Sequence, residues 1–379
     1  MKRKTLCAAA LLVGLAGCAP GATPPPAPPV EPASPPLAAL TLTPPAPPSI
    51  ALTDSLGRAV VFDRPPGRVV IAGRAAQMIV HAAFLFDEAD ARVVAVEQRT
   101  QRGASMLPLV DSAYAAVIQL ERDASAEAIA AARPDVVLLK SYLAGSLGAP
   151  LEALGLATLY LDLETPEQFF RDVRVLGDLF GNPQRAKAVL GYYQARLDRV
   201  AAACAGVPQD ERPTVLVLQH TARGGETALT VPPDAWLQTI MVDRACGLPV
   251  WRGAAGDGWT VVGLEQIAAW DPDRIFVIDY GGDPSPAVAS LRVNPAWAAL
   301  RAVRDGELYA FPGDFVSWDQ PDPRWILGLE WLASRILPAG AYPFDTRAAL
   351  QTFYQDLYGL GPETFAAEVL PLLNGDVGP

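Results

Sequence analysis

The chain has 379 residues, a formal net charge of −11 and an isoelectric point near 4.8. This length is enough for two domains, each with a core of its own. The negative charge argues against nucleic-acid binding, which needs a basic surface. A hydrophobic fraction of 51% indicates a folded protein rather than a disordered one.

The first eighteen residues have the order of a bacterial export signal. A basic start at residues 2–4 precedes an apolar segment at 6–13 that is too short to span a bilayer. Residues 15–18, Leu-Ala-Gly-Cys, match a lipobox, after which the cysteine becomes lipidated and N-terminal. We therefore predict a signal peptide over 1–18, lipidation of Cys18 and export with a lipid anchor to the cell envelope. The alternatives are an ordinary signal peptide with a chance cysteine, or a membrane helix.

A tether and a first α/β lobe follow the signal. Residues 19–49 are rich in proline and alanine and nearly uncharged, which predicts an extended linker. From 50 to 165, β-branched runs alternate with helical segments, which predicts a parallel sheet with helices on both faces. The predicted elements are a hairpin over 51–62, strands at 69–72, 93–97, 136–139 and 158–162, and helices at 75–86, 107–115 and 149–154.

Two helices, predicted over 166–180 and 183–203, connect this lobe to a second one. Asn182 is a good N-cap for the longer helix and Pro183 suits its first turn. About 20 residues at 1.5 Å each give a rod of about 30 Å, long enough to act as a rigid backbone. We assign 166–205 to this connection.

A second lobe is predicted from 206 to the end of the sequence. Its expected strands lie at 214–219, 274–279 and 308–310, and its helices at 234–243, 323–337 and 346–357. The last residues, 372–379, are expected to be loose.

Two stretches with the same pattern occur in the two halves. SAEAIAAARPDVVLLKSY (125–142) and GLEQIAAWDPDRIFVIDY (263–280) each contain a glutamate, a short helix, Pro-Asp and a buried strand. The spacing from Glu127 to Pro134 equals that from Glu265 to Pro272. Two matched copies predict two lobes of similar construction, so the expected fold is α/β, with two Rossmann-like lobes joined by one long α-helix.

Cysteine and histidine are scarce, which limits the possible chemistry. Cys7 leaves with the signal and Cys18 takes the lipid, so Cys204 and Cys246 remain, either paired or as buried thiols. His81 lies on an apolar helix and is interpreted as structural, whereas His220 follows a strand end. Neither a transition-metal ligand set nor a hydrolase, P-loop or dinucleotide motif is present. The sequence therefore predicts no enzyme, no bound metal and no required cofactor.

The order of lipobox, lobe, long helix and lobe resembles the siderophore/cobalamin-type (class III) solute-binding proteins of ABC importers, in their lipoprotein form. The segment DFVSWDQPDPRWILGLEWL (314–332) is similar to a late loop and helix of that family, and the resemblance covers about residues 50–340. It implies a ligand cleft between the lobes, little hinge motion, a monomer, and an ABC permease with its ATPase as partners. Departures include Ala245-Cys246-Gly247 in place of Gly-Gly, and the charged Gly73-Arg74.

The resemblance also implies that Glu127 and Glu265 dock onto arginines of the permease. The alternative is that each carboxylate only complements the positive end of its helix.

Candidate ligand-binding residues follow the strand ends, where open α/β sheets bind ligands. They are of three kinds: cationic, aromatic and other polar. The cationic group would favour an anionic ligand and the aromatic group a large, flat or apolar one, and Lys140 is notable because lysine is so scarce in this chain. In full they are Arg74, Arg99, Lys140 and Arg223; Tyr142, Trp251, Trp259 and Trp318; and His220 and Asp314. By resemblance, Trp259 and Asp314 align with ligand-contacting regions of cobalamin-binding relatives.

The expected cargo is a metal chelate, with a ferric siderophore first, cobalamin or haem second, and an oxyanion such as molybdate or tungstate third. Two other classes stay open: a scaffold or enzyme that handles a cofactor on the same fold, and a structural surface lipoprotein.

Overall fold

Two β-sheets, each covered by helices, form the two lobes of the protein. The computed structural model describes residues 21, 49–98, 104–223 and 226–378, and all elements below belong to one unit, Pro47–Pro379. The predicted signal, Cys18, most of the tether and Arg99 lie outside these residues. None of the described helices is both long and apolar enough to cross a membrane.

The N-terminal lobe is a five-stranded parallel sheet in the order β5-β4-β3-β6-β7, preceded by an antiparallel hairpin of β1 and β2. Its central strands are buried on both faces, which explains their continuous apolar sequence. The strands are β1 Ile50–Thr53, β2 Ala59–Phe62, β3 Val69–Ile71, β4 Val93–Glu97, β5 Ile118–Leu120, β6 Val136–Lys140 and β7 Thr158–Leu161. The helices are α1 Ala76–Ala83, α2 Ala89–Arg92, α3 Leu107–Val110, α4 Ala126–Ala131 and α5 Ala149–Ala153.

The connection consists of α6 (Pro166–Leu179) and α7 (Pro183–Cys204), as the sequence predicts. The Asn182 side chain accepts a hydrogen bond from the Arg185 amide at 2.9 Å, so the predicted N-cap is present. The Arg185 guanidinium donates to the carbonyls of Leu85 and Leu357, which lie in different lobes. The long helix therefore contacts both lobes near its first turn.

The C-terminal lobe has a sheet in the order β11-β9-β8-β12-β13, and β10 pairs with the start of β8. β8, β12 and β13 are parallel, whereas β9 turns back antiparallel to β8. The strands are β8 Thr214–Arg223, β9 Glu226–Val231, β10 Leu248–Pro249, β11 Thr260–Val261, β12 Arg274–Ile278 and β13 Leu308–Ala310. The helices are α8 Leu237–Arg244, α9 Leu264–Trp270, α10 Ser285–Val293, α11 Arg301–Arg304, α12 Trp325–Ile336, α13 Thr346–Tyr358 and α14 Pro362–Thr364. Class III architecture, predicted from the sequence, is thereby confirmed.

The repeated sequence pattern corresponds to a repeated structure. Arg133 and Asp271, the residues before the two prolines, both have a left-handed backbone, with φ of 51° and 39°. The aspartate after each proline then binds the start of the neighbouring strand of its sheet. Asp135 accepts from the Arg68 amide at 3.0 Å, and Asp273 accepts from the Thr214 amide at 2.7 Å. Pro-Asp is thus a device that fixes where two adjacent parallel strands begin.

Cys204 and Cys246 are joined by a disulfide, with their Cα atoms 5.7 Å apart. The bond attaches the end of α7 to the turn after α8. The departure from the family's Gly-Gly lies in this turn, where Cys246 adopts a φ of 70°. Gly247 is required here, because a Cβ atom would lie 2.7 Å from Val242 and 2.8 Å from Val215.

Two predicted features differ from the structure. The helix expected over 107–115 ends at Val110, because Asp111 is extended and its carboxylate binds the Ala113 amide at 2.7 Å. The last residues are not loose. Asp376 pairs with the backbone of Ala310 at 2.7 and 2.9 Å, and its carbonyl accepts from the indole of Trp331 at 2.9 Å.

Candidate functional site

The carboxyl ends of the parallel strands of both lobes are the candidate walls of a ligand cleft. In the N-terminal lobe the wall comprises the residues after β3, β6 and β7, namely 73–74, 141–142 and 162–164. In the C-terminal lobe it comprises the end of β8 and residues 279–284 and 311–317, which follow β12 and β13. The loops after β12 and β13 enclose a cavity of about 160 Å³. This is the location that open α/β sheets use for ligands.

Lys140 is at the predicted strand end but is not a free cation. Its ammonium group is only 1% exposed, and it donates to the carbonyl of Asp162 and, at 2.6 Å, to the carboxylate of Glu164. Arg171 similarly neutralises Asp162 and Asp172, each at 2.8 Å. The interpretation of Lys140 as the positive group that attracts an anionic ligand therefore does not fit, because its charge is already balanced.

The three predicted arginines have different outcomes. Arg74 is exposed on the cleft edge, and its carbonyl accepts the hydroxyl of Tyr142 at 2.9 Å. Arg223 ends β8, a position at the C-terminal wall that its backbone establishes. Arg99 lies outside the described residues, so its role stays a prediction.

An aromatic row lines the C-terminal wall. Trp259 is half-buried, and its ring contacts Trp236 edge-on at 5.7 Å and Tyr280 at 6.0 Å between centroids. Trp251 and Trp318, also predicted to cover a ligand, have 0% exposure and belong to the hydrophobic core. Those two tryptophans offer no surface to a ligand in this arrangement, since neighbouring side chains cover them.

Two equivalent tyrosines approach the cleft from opposite lobes. Tyr142 and Tyr280 end the two repeated stretches, and both pKa values are raised, that of Tyr142 to about 12. Burial is the main cause for both. The Asp319 carboxylate raises the pKa of Tyr280 further, and the negative charge of Glu164 contributes to the raised pKa of both tyrosines. Both rings are therefore neutral phenols. Sequence reasoning missed Tyr280, although its position in the repeated pattern matches that of Tyr142.

A buried carboxylate holds Tyr280 in place. Asp319 has 0% exposure and accepts from the hydroxyls of Tyr280 and Ser317 at 2.5 Å and from the Gln238 amide at 3.0 Å. Burial raises the pKa of Asp319, against the lowering effect of these donors. Asp314, predicted to contact ligand, instead buries its side chain and pairs with Arg324 at 2.8 Å. The loop thus uses its acidic groups internally.

His220 is partly exposed at the end of β8, where its Nδ1 lies 3.3 Å from the Asp279 carboxylate. This pair joins two neighbouring strand ends of the C-terminal wall. Within the described part of the chain, no three His, Cys, Asp or Glu side chains form a group that could hold a metal ion.

Glu127 and Glu265 are exposed and lie in the first turns of α4 and α9. Each helix runs back from the carboxyl end of a sheet, so both glutamates lie on the cleft side of their lobes. Hydrogen bonds from its own amide and from Ser125 lower the pKa of Glu127. Each of the two glutamates is therefore exposed at the start of its helix.

Residues 92–315, more than half of the chain, match the family described as periplasmic binding protein, and the chain belongs to that family. A curated relative, the iron-uptake system-binding protein of Bacillus subtilis, is 24% identical over 173 residues. That match covers 45% of this chain, and the chain spans about half the length of the relative.

Solved structures share the fold over most of the chain. A molybdate periplasmic binding protein of Haemophilus influenzae, bound to molybdate, is 19% identical with a TM-score of 0.65, covering 82% of this chain and 98% of its own. A protein of an ABC-type Fe3+-hydroxamate transport system from Saccharomonospora viridis is 22% identical with a TM-score of 0.55, covering 76% and 98%. At these identities the likeness concerns the fold.

The pairing of Lys140 with Glu164 predicts unequal effects of two substitutions. Glu164→Gln should destabilise the protein by about 2 kcal/mol, because it leaves a buried ammonium without its counter-charge. Lys140→Met should cost only about 1 kcal/mol, because Glu164 is 44% exposed and can be hydrated. Urea unfolding of both variants at pH 7 measures which substitution lowers the free energy of unfolding more. A larger loss for Lys140→Met would contradict the charge balance described here.

Proposed function

We propose that this protein is the solute-binding component of an ABC importer and that its cargo is a metal chelate, with a ferric siderophore as the first candidate. The observation that carries the proposal is the aromatic lining of the candidate cleft. Neutral phenols from both lobes and the Trp236–Trp259–Tyr280 row face it, and no described ligand set could hold a bare metal. The names of the iron-uptake relative and the Fe3+-hydroxamate neighbour support iron as the metal.

Charge pairing in the cleft bears on the choice of cargo. Lys140 and Arg171 are both neutralised by carboxylates, which disfavours a small oxyanion that would need free cations. Aromatic rings and phenols instead suit a large ligand with a partly apolar surface. Molybdate or tungstate is therefore the lesser candidate, although a molybdate-binding neighbour has the same fold. Cobalamin and haem also fit an aromatic wall and remain candidates.

Delivery would use the two exposed glutamates and a lipid anchor. Glu127 and Glu265 would contact a permease at two points, one on each lobe. Lipidation of Cys18 would hold the protein at the membrane, and residues 19–49 would let it reach the permease. The helix that connects the lobes and contacts both of them limits hinge motion, so capture would need little domain movement.

The cargo can be identified by thermal shift of the full chain in detergent micelles, with ferric hydroxamate and catecholate siderophores, cobalamin, haem, molybdate, tungstate and ferric citrate. A ligand of the folded state adds about 2.7 kcal/mol at a hundred times its Kd. We expect a concentration-dependent rise in Tm for a ferric siderophore. A rise in Tm with molybdate alone would contradict the chelate proposal. The absence of any rise in Tm with every compound of the panel would refute it.

Trp259→Ala tests whether the aromatic row binds that cargo. We expect affinity to fall roughly 30-fold, about 2 kcal/mol, because the central ring of the row is lost. Trp270→Ala is the matched control. Trp270 is also a half-buried tryptophan, but it ends α9 at the opposite edge of the sheet. Equal losses in both variants would show that the row has no special role in binding.

Docking is tested by Glu127→Ala combined with Glu265→Ala. We expect cargo uptake by cells to fall at least tenfold while cargo affinity in vitro stays unchanged, because neither glutamate lines the cavity of the C-terminal wall. The control exchanges two other exposed glutamates, Glu211→Ala and Glu363→Ala. Normal uptake by the first double variant would leave docking without support.

Anchoring is tested by Cys18→Ser and cell fractionation. Because only the cysteine can accept the lipid, we expect the variant to move from the membrane fraction to the soluble fraction. A variant that stays with the membrane would contradict lipid anchoring at this residue.

A further inference from the structure

The C-terminal tail, residues 373–378, contributes to the C-terminal wall of the candidate cleft. Asn374 forms a short antiparallel bridge with Gly313, in which its backbone amide donates to the Gly313 carbonyl at 2.9 Å and its carbonyl accepts from the Gly313 amide at 3.3 Å. Both residues line the cavity of about 160 Å³ that the loops after β12 and β13 enclose. The family match ends at residue 315, so the contribution of the tail lies outside it.

Contacts of Asp376 hold the tail beside β13. The Asp376 carboxylate accepts from the Ala310 amide at 2.7 Å and lies 3.3 Å from the Arg292 guanidinium, and the Asp376 amide donates to the Ala310 carbonyl at 2.9 Å. These contacts lie two residues beyond Asn374, and the bridge to Gly313 lies at Asn374 itself. The position of Asn374 at the cavity is therefore set by the backbone pairing of the tail.

Gly375 allows the tail to approach the cavity loop closely. Its φ is 84°, and a Cβ atom at this position would lie 2.7 Å from the Phe311 carbonyl oxygen and 2.8 Å from the Pro312 Cα atom. Gly375 itself is not among the residues that line the cavity. A side chain at 375 would thus displace the tail, and Asn374 with it, without changing any side chain of the lining.

The Asn374 side chain retains hydrogen-bonding capacity. A carboxamide has two N–H donors and a carbonyl oxygen that accepts. One N–H of Asn374 donates to the Leu372 carbonyl at 3.0 Å, and the side chain has no other hydrogen bond to the described residues. Its carbonyl oxygen is not buried. One donor and one acceptor, side by side, are therefore available to a molecule in the cavity.

The size and lining of the cavity indicate what could occupy it. Pockets that enclose a whole small molecule measure about 300 to 1,000 Å³, so a cavity of about 160 Å³ can take only one arm of a larger ligand. Asp279, Asp283 and Asp314 belong to the lining, which disfavours an anionic arm because like charges at close range repel. A neutral amide offers the acceptor and donor that complement a carboxamide.

We propose that the C-terminal tail is part of the ligand site and that the Asn374 side chain binds one neutral arm of the cargo, of the amide class. The inference rests on the proposed capture of a large chelate at this wall, and it adds a contact residue and the chemistry of the group that is recognised. Gly375 and Asp376 are positioning residues, because they act through the placement of Asn374.

Titration of the full chain in detergent micelles with a ferric trihydroxamate whose linkers contain amides tests the contact. For Asn374→Ala we expect a roughly tenfold higher Kd, as for the loss of one hydrogen bond, and a ligand-free Tm within about 2 °C of the wild type. Asn294→Ala is the matched control and should keep the wild-type Kd. Asn294 also makes one local hydrogen bond, with the Ala296 amide at 3.0 Å, but does not line the cavity.

The outcomes separate this inference from the transport proposal. If the wild type binds the trihydroxamate and Asn374→Ala binds it equally well, the inference is overturned and the transport proposal stands. If the wild type does not bind it, the hydroxamate cargo and the inference are both overturned. Ferric tris(acetohydroxamate) has a similar metal centre without an amide arm, so the substitution should not weaken its binding. An equal loss for both chelates would overturn the assignment of an amide arm.

Gly375→Ala tests whether the tail positions Asn374. We expect the Kd for the same trihydroxamate to rise at least as much as in Asn374→Ala, and the Ala310 amide to exchange with deuterium faster because Asp376 is displaced. Gly340→Ala is the matched control, since Gly340 has a φ of 80° but a Cβ atom there would meet nothing within 4 Å. A wild-type Kd for Gly375→Ala would overturn the role of the tail. If that variant does not fold, Asn374→Ala decides the question.

Discussion

The burial of one arginine, Arg324, is the constraint on which the packing of the C-terminal lobe depends. A guanidinium that is removed from water must have its charge compensated and its donors satisfied, and removing a partner of such a group typically costs 3 to 5 kcal/mol. Arg324 meets this requirement with two aspartates that precede it in sequence, Asp314 and Asp322, and with Tyr354 of α13. Because those partners are far apart along the chain, satisfying one side chain fixes the loop from 314 to 324 and the helix behind it.

A second constraint is repeated in both lobes. Each Pro-Asp pair places an aspartate on the amide that begins the neighbouring strand, Asp135 for β3 and Asp273 for β8. The start of two parallel strands in each lobe is thus set by one aspartate. Tyr142 and Tyr280 end the two stretches at equivalent positions, just after β6 and β12.

Sequence patterns predicted the elements well and the side-chain contacts poorly. Periodicity, the N-cap at Asn182 and the repeated stretches were sufficient for two lobes and a long helix, because these signals depend on local backbone preferences. The short strands β5, β9 and β11 were missed, since two to six residues of mixed character carry no clear period. The tail at 372–378 looked loose, because its hydrogen bonds to Ala310 and Trp331 join residues distant in sequence.

In the candidate site, too, the sequence predicted the positions of the backbone elements better than the contacts of their side chains. The candidate residues at strand ends lie at one edge of their sheet, since parallel strands must present their carboxyl ends there. Which side chains stay available there depends on partners that no local pattern encodes. Lys140 is neutralised by Glu164 from the end of a different strand, and Trp251 and Trp318 are covered by the core. Tyr280 could have been found from the repeat, and Trp236 from its place in the first turn of the helix predicted over 234–243.

The attachment of the tail has a consequence for the order in which the protein matures. The amide of Ala310 and the indole of Trp331 acquire their partners only from Asp376, three residues from the end of the sequence. A chain that emerges from its N-terminus, whether from a ribosome or through a translocation channel, can complete the first lobe while the second lacks its final hydrogen bonds. The hydrogen bonds beside β13 can therefore form only once Asp376 has emerged, and a chain that stops before Asp376 would keep a complete first sheet beside an unfinished second one.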